Sequence, residues 1–140
     1  MDAFDQKLLA LLRENARVSV ALLAHRLGVT RTTISNRIAR LESAGVIVGY
    51  TVRLRPEHEP ASITSWMGIA VEGNQTREVI ASLLGEPGVA ALFDTNGRWD
   101  LLAEIEAMTL AGLADALERI RLIKGIRATE TSIHLQSYKV

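Results

Sequence analysis

The stretch that decides the fold is Arg17–Tyr50, RVSVALLAHRLGVTRTTISNRIARLESAGVIVGY. Ser19 predicts the start of a short helix, because its hydroxyl can accept a hydrogen bond from an unpaired N–H of the first turn. Gly28 predicts the end of that helix, since the left-handed conformation that follows many helices costs glycine little. Thr30 and Gly45 bracket a second helix in the same way. Two short helices joined by a three-residue turn are typical of a helix-turn-helix, which places its second helix in the major groove of DNA.

The second helix has an apolar face and a polar, basic face. Ile34, Ile38 and Leu41 recur at the i, i+4, i+7 spacing of a buried helix face. A solvated face on an ordinary helical hairpin would have the same composition, but the short turn and the second cap favour an interface with phosphates and base edges. Arg40 is expected to bind phosphate, and the other side chains to approach the major groove. The residues predicted to contact DNA are Arg31, Thr32, Thr33, Ser35, Asn36, Arg37 and Arg40.

Length and composition exclude several classes of protein. The chain has 140 residues, which suits one large or two small domains. It has no cysteine, so neither a disulfide framework nor a thiolate metal site is available. No apolar run follows a basic N-terminus, and none approaches the length of a membrane span. We therefore expect a soluble, cytoplasmic protein with no membrane association.

The overall net charge of zero conceals two halves of opposite sign. Residues 1–55 contain nine lysines and arginines and four acids, a balance of +5. Residues 56–140 contain seven basic and twelve acidic residues, a balance of −5. This asymmetry indicates a module that binds a polyanion, joined to one that does not. DNA binding by the first half should weaken strongly with salt.

The quoted stretch is expected to belong to a three-helix domain, residues 1–55. Residues 3–14 have helical apolar spacing, and Asp2 is placed to cap that helix. Residues 46–56, VIVGYTVRLRP, are rich in β-forming residues and predict a wing or a hinge strand. Arg53 and Arg55 there are either phosphate contacts or the charges that protect an edge strand. The first domain is thus predicted to be a (winged) helix-turn-helix.

The second half predicts a ferredoxin-like domain of order βαββαβ over residues 62–140. Residues 56–61, PEHEPA, have two prolines and no apolar periodicity, and are expected to be a linker. The first and last strands carry apolar residues on more than one face, which predicts cover by the domain's own helices and by a second subunit. The fold class is therefore α+β, and a dimer is expected. The predicted strands are 63–71, 89–95, 99–106 and 126–138, and the predicted helices are 76–84 and 110–123.

Four segments together resemble one family. They are FDQKLLALLRENARVS (4–19), LAHRLGVTRTTISNRIARLESAGVIVGY (23–50), GRWDLL (97–102) and ATETSIHL (128–135). In this order they resemble the Lrp/AsnC, or feast/famine, transcriptional regulators, and the resemblance extends from about Asp2 to Lys139. Leu22 departs from the pattern, because the family usually has an acid at this position of the helix.

The resemblance implies a homodimer that assembles into an octamer through the second domain and binds a near-palindromic operator in double-stranded DNA. It also implies that an amino acid or related metabolite binds between dimers and changes transcription, with no metal or other cofactor. In such a site, backbone N–H groups beside the Asn-Gly pair would hold the carboxylate, and an aspartate would bind the α-ammonium. Two threonines would supply hydroxyls. From the residues alone, Asn-Gly predicts a tight hairpin turn, and Thr-x-Thr is common in strands. The predicted effector residues are Asn96, Gly97, Arg98, Asp100, Thr129 and Thr131.

Two other functions fit the same architecture. Sirohaem decarboxylases are similar in layout and would use histidines and basic residues of the second domain to hold a tetrapyrrole. That domain is acidic here and holds only His134, while His25 and His58 lie in a predicted helix and in the linker. No catalytic triad, phosphate loop or metal spacing is present, so we expect no enzymatic activity. The second alternative is an architectural DNA-binding protein without an effector.

Overall fold

The computed structural model describes residues 1–139, which form two compact units. The first unit is Met1–Glu57, and the second begins at His58. The division falls inside the segment 56–61, where Pro56–His58 form one turn of 3-10 helix. The first unit is helical and the second is α+β.

The first unit contains three helices, α1 (Ala3–Glu14), α2 (Val20–Leu27) and α3 (Arg31–Ser43). The Ser19 hydroxyl accepts from the backbone N–H of Leu22 at the start of α2. The Thr30 hydroxyl accepts from the N–H of Thr33 at the start of α3. Gly28 follows α2 with a φ of 67°, the left-handed conformation expected of it. The predicted helix-turn-helix is therefore confirmed, with its caps.

The three helices enclose one small hydrophobic core. Its buried members come from all three helices: Leu8, Leu12, Leu23, Ala24, Ile34 and Leu41. Ile34 and Leu41 are the inward residues of α3, as its apolar spacing predicted. These apolar contacts hold the three helices together.

The predicted wing or hinge strand is wrong. Residues 46–55 form no strand, and most of them are exposed, with Val48 at 93%. A strand needs a partner for its backbone N–H and C=O groups. No segment among residues 1–139 supplies that partner here, so β propensity alone does not make a strand.

The second unit has the predicted order βαββαβ. Its elements are β1 (Ile63–Val71), α4 (Thr76–Leu84), β2 (Val89–Asp94), β3 (Leu101–Ala107), α5 (Leu110–Arg121) and β4 (Ile126–Ile133). The strands form one antiparallel sheet in the order β2-β3-β1-β4. The ferredoxin-like prediction is therefore confirmed, and together with the helix-turn-helix it gives the predicted α+β class.

The two helices of this unit cover one side of the sheet, called here the helix side. Its core contains Met67, Ile69, Val71, Leu101, Ala103 and Ile105 from the strands, and Val79, Leu83, Leu113, Ala116 and Ile120 from the helices. Side chains alternate along a strand, so Trp66, Gly68 and Ala70 belong to the opposite side, called here the open side.

Four boundaries differ from the predicted ones by a residue or two, and the end of β4 differs by more. β2 ends at Asp94, β3 spans Leu101–Ala107 and α5 ends at Arg121. β4 ends at Ile133 instead of Tyr138. Its neighbour β1 begins at Ile63, and the last hydrogen bond between them runs from the His134 N–H to the carbonyl of Thr64. Most of β4 is exposed in the single chain, so the predicted cover by a second subunit stays a prediction.

The predicted tight turn at Asn96-Gly97 is also wrong. The N–H of Thr95 donates to the carbonyl of Asp100 at 3.1 Å, which leaves four residues between them. Gly97 is not among the glycines with positive φ, which are Gly28, Gly45, Gly73 and Gly125. A two-residue Asn-Gly turn of type I′ requires positive φ at both positions. A wider loop, residues 95–100, therefore joins β2 to β3.

Candidate DNA interface and effector site

The outer face of α3 carries exposed polar side chains. Thr32, Ser35 and Asn36 are exposed on the side opposite the buried Ile34 and Leu41. Their side chains make no hydrogen bond within the part of the chain that the structure describes. Their hydroxyl and amide groups therefore remain available to bases or phosphates.

The first turn of α3 holds two further predicted contacts. Arg31 is exposed at the first helical position. Thr33 is half-buried, and its hydroxyl lies 2.9 Å from the hydroxyl of Thr30, the capping residue. Arg31 is thus free to reach a ligand, whereas the Thr33 hydroxyl is already engaged at the helix cap.

The two arginines of α3 are paired with two acids at the start of α1. Nη1 of Arg37 donates to Oδ2 of Asp2 and, at 3.1 Å, to Oδ1 of Asp5. Nη2 of Arg40 donates to Oδ2 of Asp5 at 2.9 Å. The Arg37 guanidinium also lies 5.1 Å from the centroid of the Phe4 ring, within cation–π range. Charged side chains therefore connect α3 directly to α1.

Asp2 and Asp5 also cap α1 reciprocally. The N–H of Asp5 donates to Oδ1 of Asp2 at 2.8 Å, and the N–H of Asp2 donates to Oδ2 of Asp5 at 3.0 Å. The hydrogen bond from Arg37 lowers the pKa of Asp2 to about 2. The hydrogen bond from the Asp2 N–H, followed by that from Arg37, lowers the pKa of Asp5. Both carboxylates thus remain charged at neutral pH.

The residues predicted to contact DNA therefore divide into two groups. Arg31, Thr32, Ser35 and Asn36 project from α3 without partners, while Thr33, Arg37 and Arg40 have partners inside the unit. The partners of the arginines were not predicted. A signal for them exists, since Asp2 and Asp5 are three residues apart, as are Arg37 and Arg40. Residues at this spacing share one helix face.

The loop 95–100 is anchored at both ends. The Thr95 hydroxyl donates to the carbonyl of Trp99 at 2.6 Å. Oδ2 of Asp100 accepts from the backbone N–H of Val71, at the end of β1, at 2.8 Å. Asn96 and Gly97, between these anchors, are exposed. The predicted carboxylate-binding residues thus lie on a loop with fixed ends.

The indole of Trp99 lies against the backbone of Gly68 on the open side of the sheet. A Cβ at Gly68 would be 2.6 Å from the indole, closer than Cβ atoms normally approach, so any larger residue would have to displace the indole. The guanidinium of Arg98 lies 5.4 Å from the centroid of the Trp99 ring. Gly68 and Trp99 were not predicted as site residues, and they fix the position of the loop.

The two threonines predicted for the effector site lie on β4. Thr129 pairs with Ile69 and Thr131 with Met67, which places both threonines on the helix side. The Thr131 hydroxyl is buried and has no hydrogen-bond partner within residues 1–139. Thr129 lies at the same end of the sheet as Asp100. Its partner on β1, Ile69, also pairs with Leu101, the residue that follows Asp100. The structure therefore brings Thr129 and the loop to one end of the sheet but does not enclose all six residues in one pocket.

The open side of the sheet carries an aromatic cluster that the sequence prediction missed. The Trp66 ring lies 6.4 Å from that of Phe93 and 6.1 Å from that of His134. Phe93 is 51% exposed. The alternation of β1 was the available signal, because it directs Trp66 away from the helix side. An exposed aromatic cluster on a sheet face is typical of an interaction surface.

The histidines are dispersed. His25 lies on α2, His58 ends the 3-10 turn and His134 follows β4. Among residues 1–139 no group of three or more histidines, cysteines or acids is arranged to hold a metal ion. No helix in the described part of the chain has the length and hydrophobicity needed to cross a membrane.

A capped helix-turn-helix with a free polar face, here joined to a ferredoxin-like unit, is typical of the class of DNA-binding helix-turn-helix proteins. Comparison with known families agrees with this class. The model of the AsnC-type helix-turn-helix domain matches residues 1–42, and the model of the Lrp/AsnC ligand binding domain matches residues 64–140. The chain belongs to the Lrp/AsnC family of transcriptional regulators.

Individual relatives resemble the chain over its whole length. An uncharacterized HTH-type transcriptional regulator of Pyrococcus furiosus is 30% identical over 99% of this chain and 94% of its own. The structure of E. coli AsnC superposes with a TM-score of 0.84 at 27% identity, covering 100% of this chain and 95% of that one. The structure of a Neisseria meningitidis transcriptional regulator in complex with L-Met superposes with a TM-score of 0.79 at 23% identity, covering 100% of this chain and 93% of that one.

Proposed function

We propose that this regulator reads a near-palindromic operator with α3, and that an amino acid or related small metabolite bound to the second unit changes its DNA binding or assembly. The free polar face of α3 carries the DNA-reading part of the proposal. The family supports the effector-binding part, because its second domain is described as ligand-binding.

Within α3, each exposed side chain suits a particular contact. Asn36 can pair through its amide with an adenine edge, and Arg31 with a guanine. Thr32 and Ser35 supply hydroxyls to base edges or phosphates, and Thr33 a methyl group. Arg40 keeps donors free for phosphate, since its side chain is 57% exposed and only one of its nitrogens binds Asp5.

A near-palindrome requires a symmetric protein. We propose that two copies meet through the open side of the sheet, where Trp66, Phe93 and Trp99 form the aromatic surface. Two such faces would pack as a sheet on a sheet and remove these rings from water. Assembly into an octamer is a further expectation from the family. The same surface thus supports the homodimer that an operator with two half-sites needs.

The effector site is proposed at the end of the sheet near Asp100. Backbone N–H groups of Asn96 and Gly97 would bind the carboxylate, the latter in exchange for its long 3.4 Å hydrogen bond to the Thr95 hydroxyl. Arg98 would lie beside them, and Asp100 would bind the α-ammonium. Thr129 and Thr131 would add hydroxyls from β4. Because these residues occupy the loop and the helix side, we propose that a second copy completes the pocket. The Neisseria protein, similar in fold, was crystallised with an amino acid, L-Met.

DNA reading is tested by selection of duplexes from a randomised pool with the whole protein. The selected duplex and a shuffled duplex of equal composition are then compared in binding assays at two salt concentrations. We expect a two-fold symmetric consensus and tight binding that weakens with salt. Equal affinity for both duplexes would leave only sequence-independent binding, as expected of an architectural protein.

The effector is tested by screening amino acids, L-Met included, for thermal stabilisation. A ligand at a hundred times its Kd adds about 2.7 kcal/mol to the free energy of unfolding. Asp100→Asn keeps an acceptor oxygen for the Val71 N–H but removes the charge that an α-ammonium needs. We expect this variant to lose the stabilisation and the DNA response, while its binding to the selected duplex without effector stays. If no amino acid stabilises the wild type, the effector part of the proposal is wrong.

A further inference from the structure

We infer that Asp2, Asp5, Arg37 and Arg40 form a charge clamp that sets the rotation of α3 on the first unit, and that Arg37 is a positioning residue instead of a base-reading one. The inference rests on the proposed DNA reading by α3. It assigns Arg37 a different role from the predicted one, because its donors are directed at α1.

The geometry of the charge clamp is more restrictive than that of a surface ion pair. Asp5 is buried, with 1% of its side chain exposed, and it binds both arginines. Arg37 has 27% of its side chain exposed and binds both aspartates while it lies against Phe4. Hydrogen bonds between charged groups are directional and stronger than neutral ones. A rotation of α3 would break several of them together.

Burial explains why the clamp is essential to the site. A carboxylate that is removed from water needs paired partners, since an uncompensated buried charge is strongly unfavourable. Ile34 and Leu41 pack the inner face of α3 into the core, and the charge clamp adds directional contacts on its flank. Pairing Asp5 with Arg37 and Arg40 selects one rotation. Thr32 and Asn36 then face outward in a fixed orientation, as base recognition requires.

If Asp5 positions α3, removing its charge should change DNA affinity in the opposite direction to that expected from charge alone. Removing an acid from a DNA-binding unit raises its positive charge, and should raise affinity for any duplex. If Asp5 acts by orienting α3, its removal should instead lower affinity for the selected duplex. The two effects are separable, because orientation matters for base reading and hardly matters for binding to the shuffled duplex.

The experiment compares Asp5→Asn with Glu14→Gln, which removes an exposed acid at the other end of α1. Both variants are titrated with the selected and the shuffled duplex at two salt concentrations. We expect the affinity of Asp5→Asn for the selected duplex to fall at least about fivefold. The salt dependence of that affinity (the salt slope) should not change, because no phosphate contact is lost. Glu14→Gln should keep the wild-type preference. Circular dichroism at the assay temperature confirms that both variants are folded.

A double-mutant cycle separates positioning from direct contact. If Arg37 acts through the acids, Asp5→Asn and Arg37→Gln remove one shared arrangement, and their losses on the selected duplex are not additive. Additive losses, or a salt slope reduced by about one in Arg37→Gln, would mean that Arg37 touches DNA and would overturn the inference. An Asp5→Asn variant that behaves like Glu14→Gln would overturn it as well.

A readout without DNA separates this inference from the proposed function. In Asp5→Asn, backbone amide resonances along α3 should shift, while the Cα shifts remain helical. If they do not move, the charge clamp does not position α3, whatever the protein binds. If they move and the wild type binds both duplexes equally, the proposed sequence-specific function fails and the positioning role remains.

Discussion

The recognition helix of the first unit and the loop 95–100 of the second are both held in place, but by different means. Side chains outside the reading face hold α3, since Asp2 and Asp5 bind arginines on its flank. The loop is held partly by a residue proposed to bind ligand, because Asp100 binds the N–H of Val71. Apart from Arg40, which is also proposed to bind phosphate, the helix separates the residues that position the site from those that use it, whereas the short loop combines the two roles in Asp100.

The largest expected effect tests whether the two units have independent cores. Ile34→Ala removes a fully buried side chain from the first core, which should cost roughly 2–5 kcal/mol of unfolding free energy. Both tryptophans, Trp66 and Trp99, lie in the second unit, so their fluorescence reports that unit alone. In urea, the unfolding transition followed by circular dichroism should split into two steps, the first at a lower urea concentration than in the wild type. The transition followed by tryptophan fluorescence should not change. A joint shift of both signals would mean that the units unfold together.

A smaller effect is expected in the second unit from Gly68→Ala. The added methyl group would collide with the indole of Trp99, and such overpacking costs about 1–3 kcal/mol. We expect a lower urea midpoint by fluorescence and an emission spectrum shifted by the displaced indole. Gly85→Ala is the matched control, because the nearest atom to its new methyl group would be 3.5 Å away. Equal behaviour of the two variants would show that Trp99 does not depend on Gly68.

The smallest effect is the pH dependence of the first unit. The pKa of Asp2 in the folded chain is about 2, below its usual value of 3.8, so its stabilisation is full well above pH 3.8 and is lost as the pH falls toward 2. In Asp2→Asn, this fall in stability at acid pH (the acid limb) should be less steep in thermal melts followed by circular dichroism. In the second unit, Arg119 lowers the pKa of Glu86 in the same direction. Glu86→Gln should flatten the acid limb of the fluorescence melt, which Asp2→Asn should leave unchanged. An unchanged limb of the circular dichroism melt in Asp2→Asn would contradict the role of Asp2.

Features set by neighbouring residues were predictable from the sequence. The caps at Ser19 and Thr30, the stop at Gly28 and the outward face of α3 depend on spacing within a few residues. The order of strands and helices followed from alternating periodicity. Such local signals established both the helix-turn-helix and the ferredoxin-like unit.

Features set by distant partners were not predictable. Residues 46–55 have strand composition but no partner strand in the described chain, and Arg37 was assigned to DNA because its partners lie 32 and 35 residues away. Thr129 and Thr131 were grouped with the loop, although the register of β4 directs them to the helix side. Each of these features depends on a long-range pairing, which residue spacing along one element does not encode.

The most direct test of the central claim, that the outer face of α3 reads bases, is the affinity of Asn36→Ala for the selected and the shuffled duplex. The account predicts a loss of roughly 1–3 kcal/mol on the selected duplex, relaxed specificity at one base pair, and an unchanged salt slope. Affinity for the shuffled duplex should remain at the wild-type level. Wild-type affinity of Asn36→Ala for the selected duplex, with its preference intact, would contradict the account.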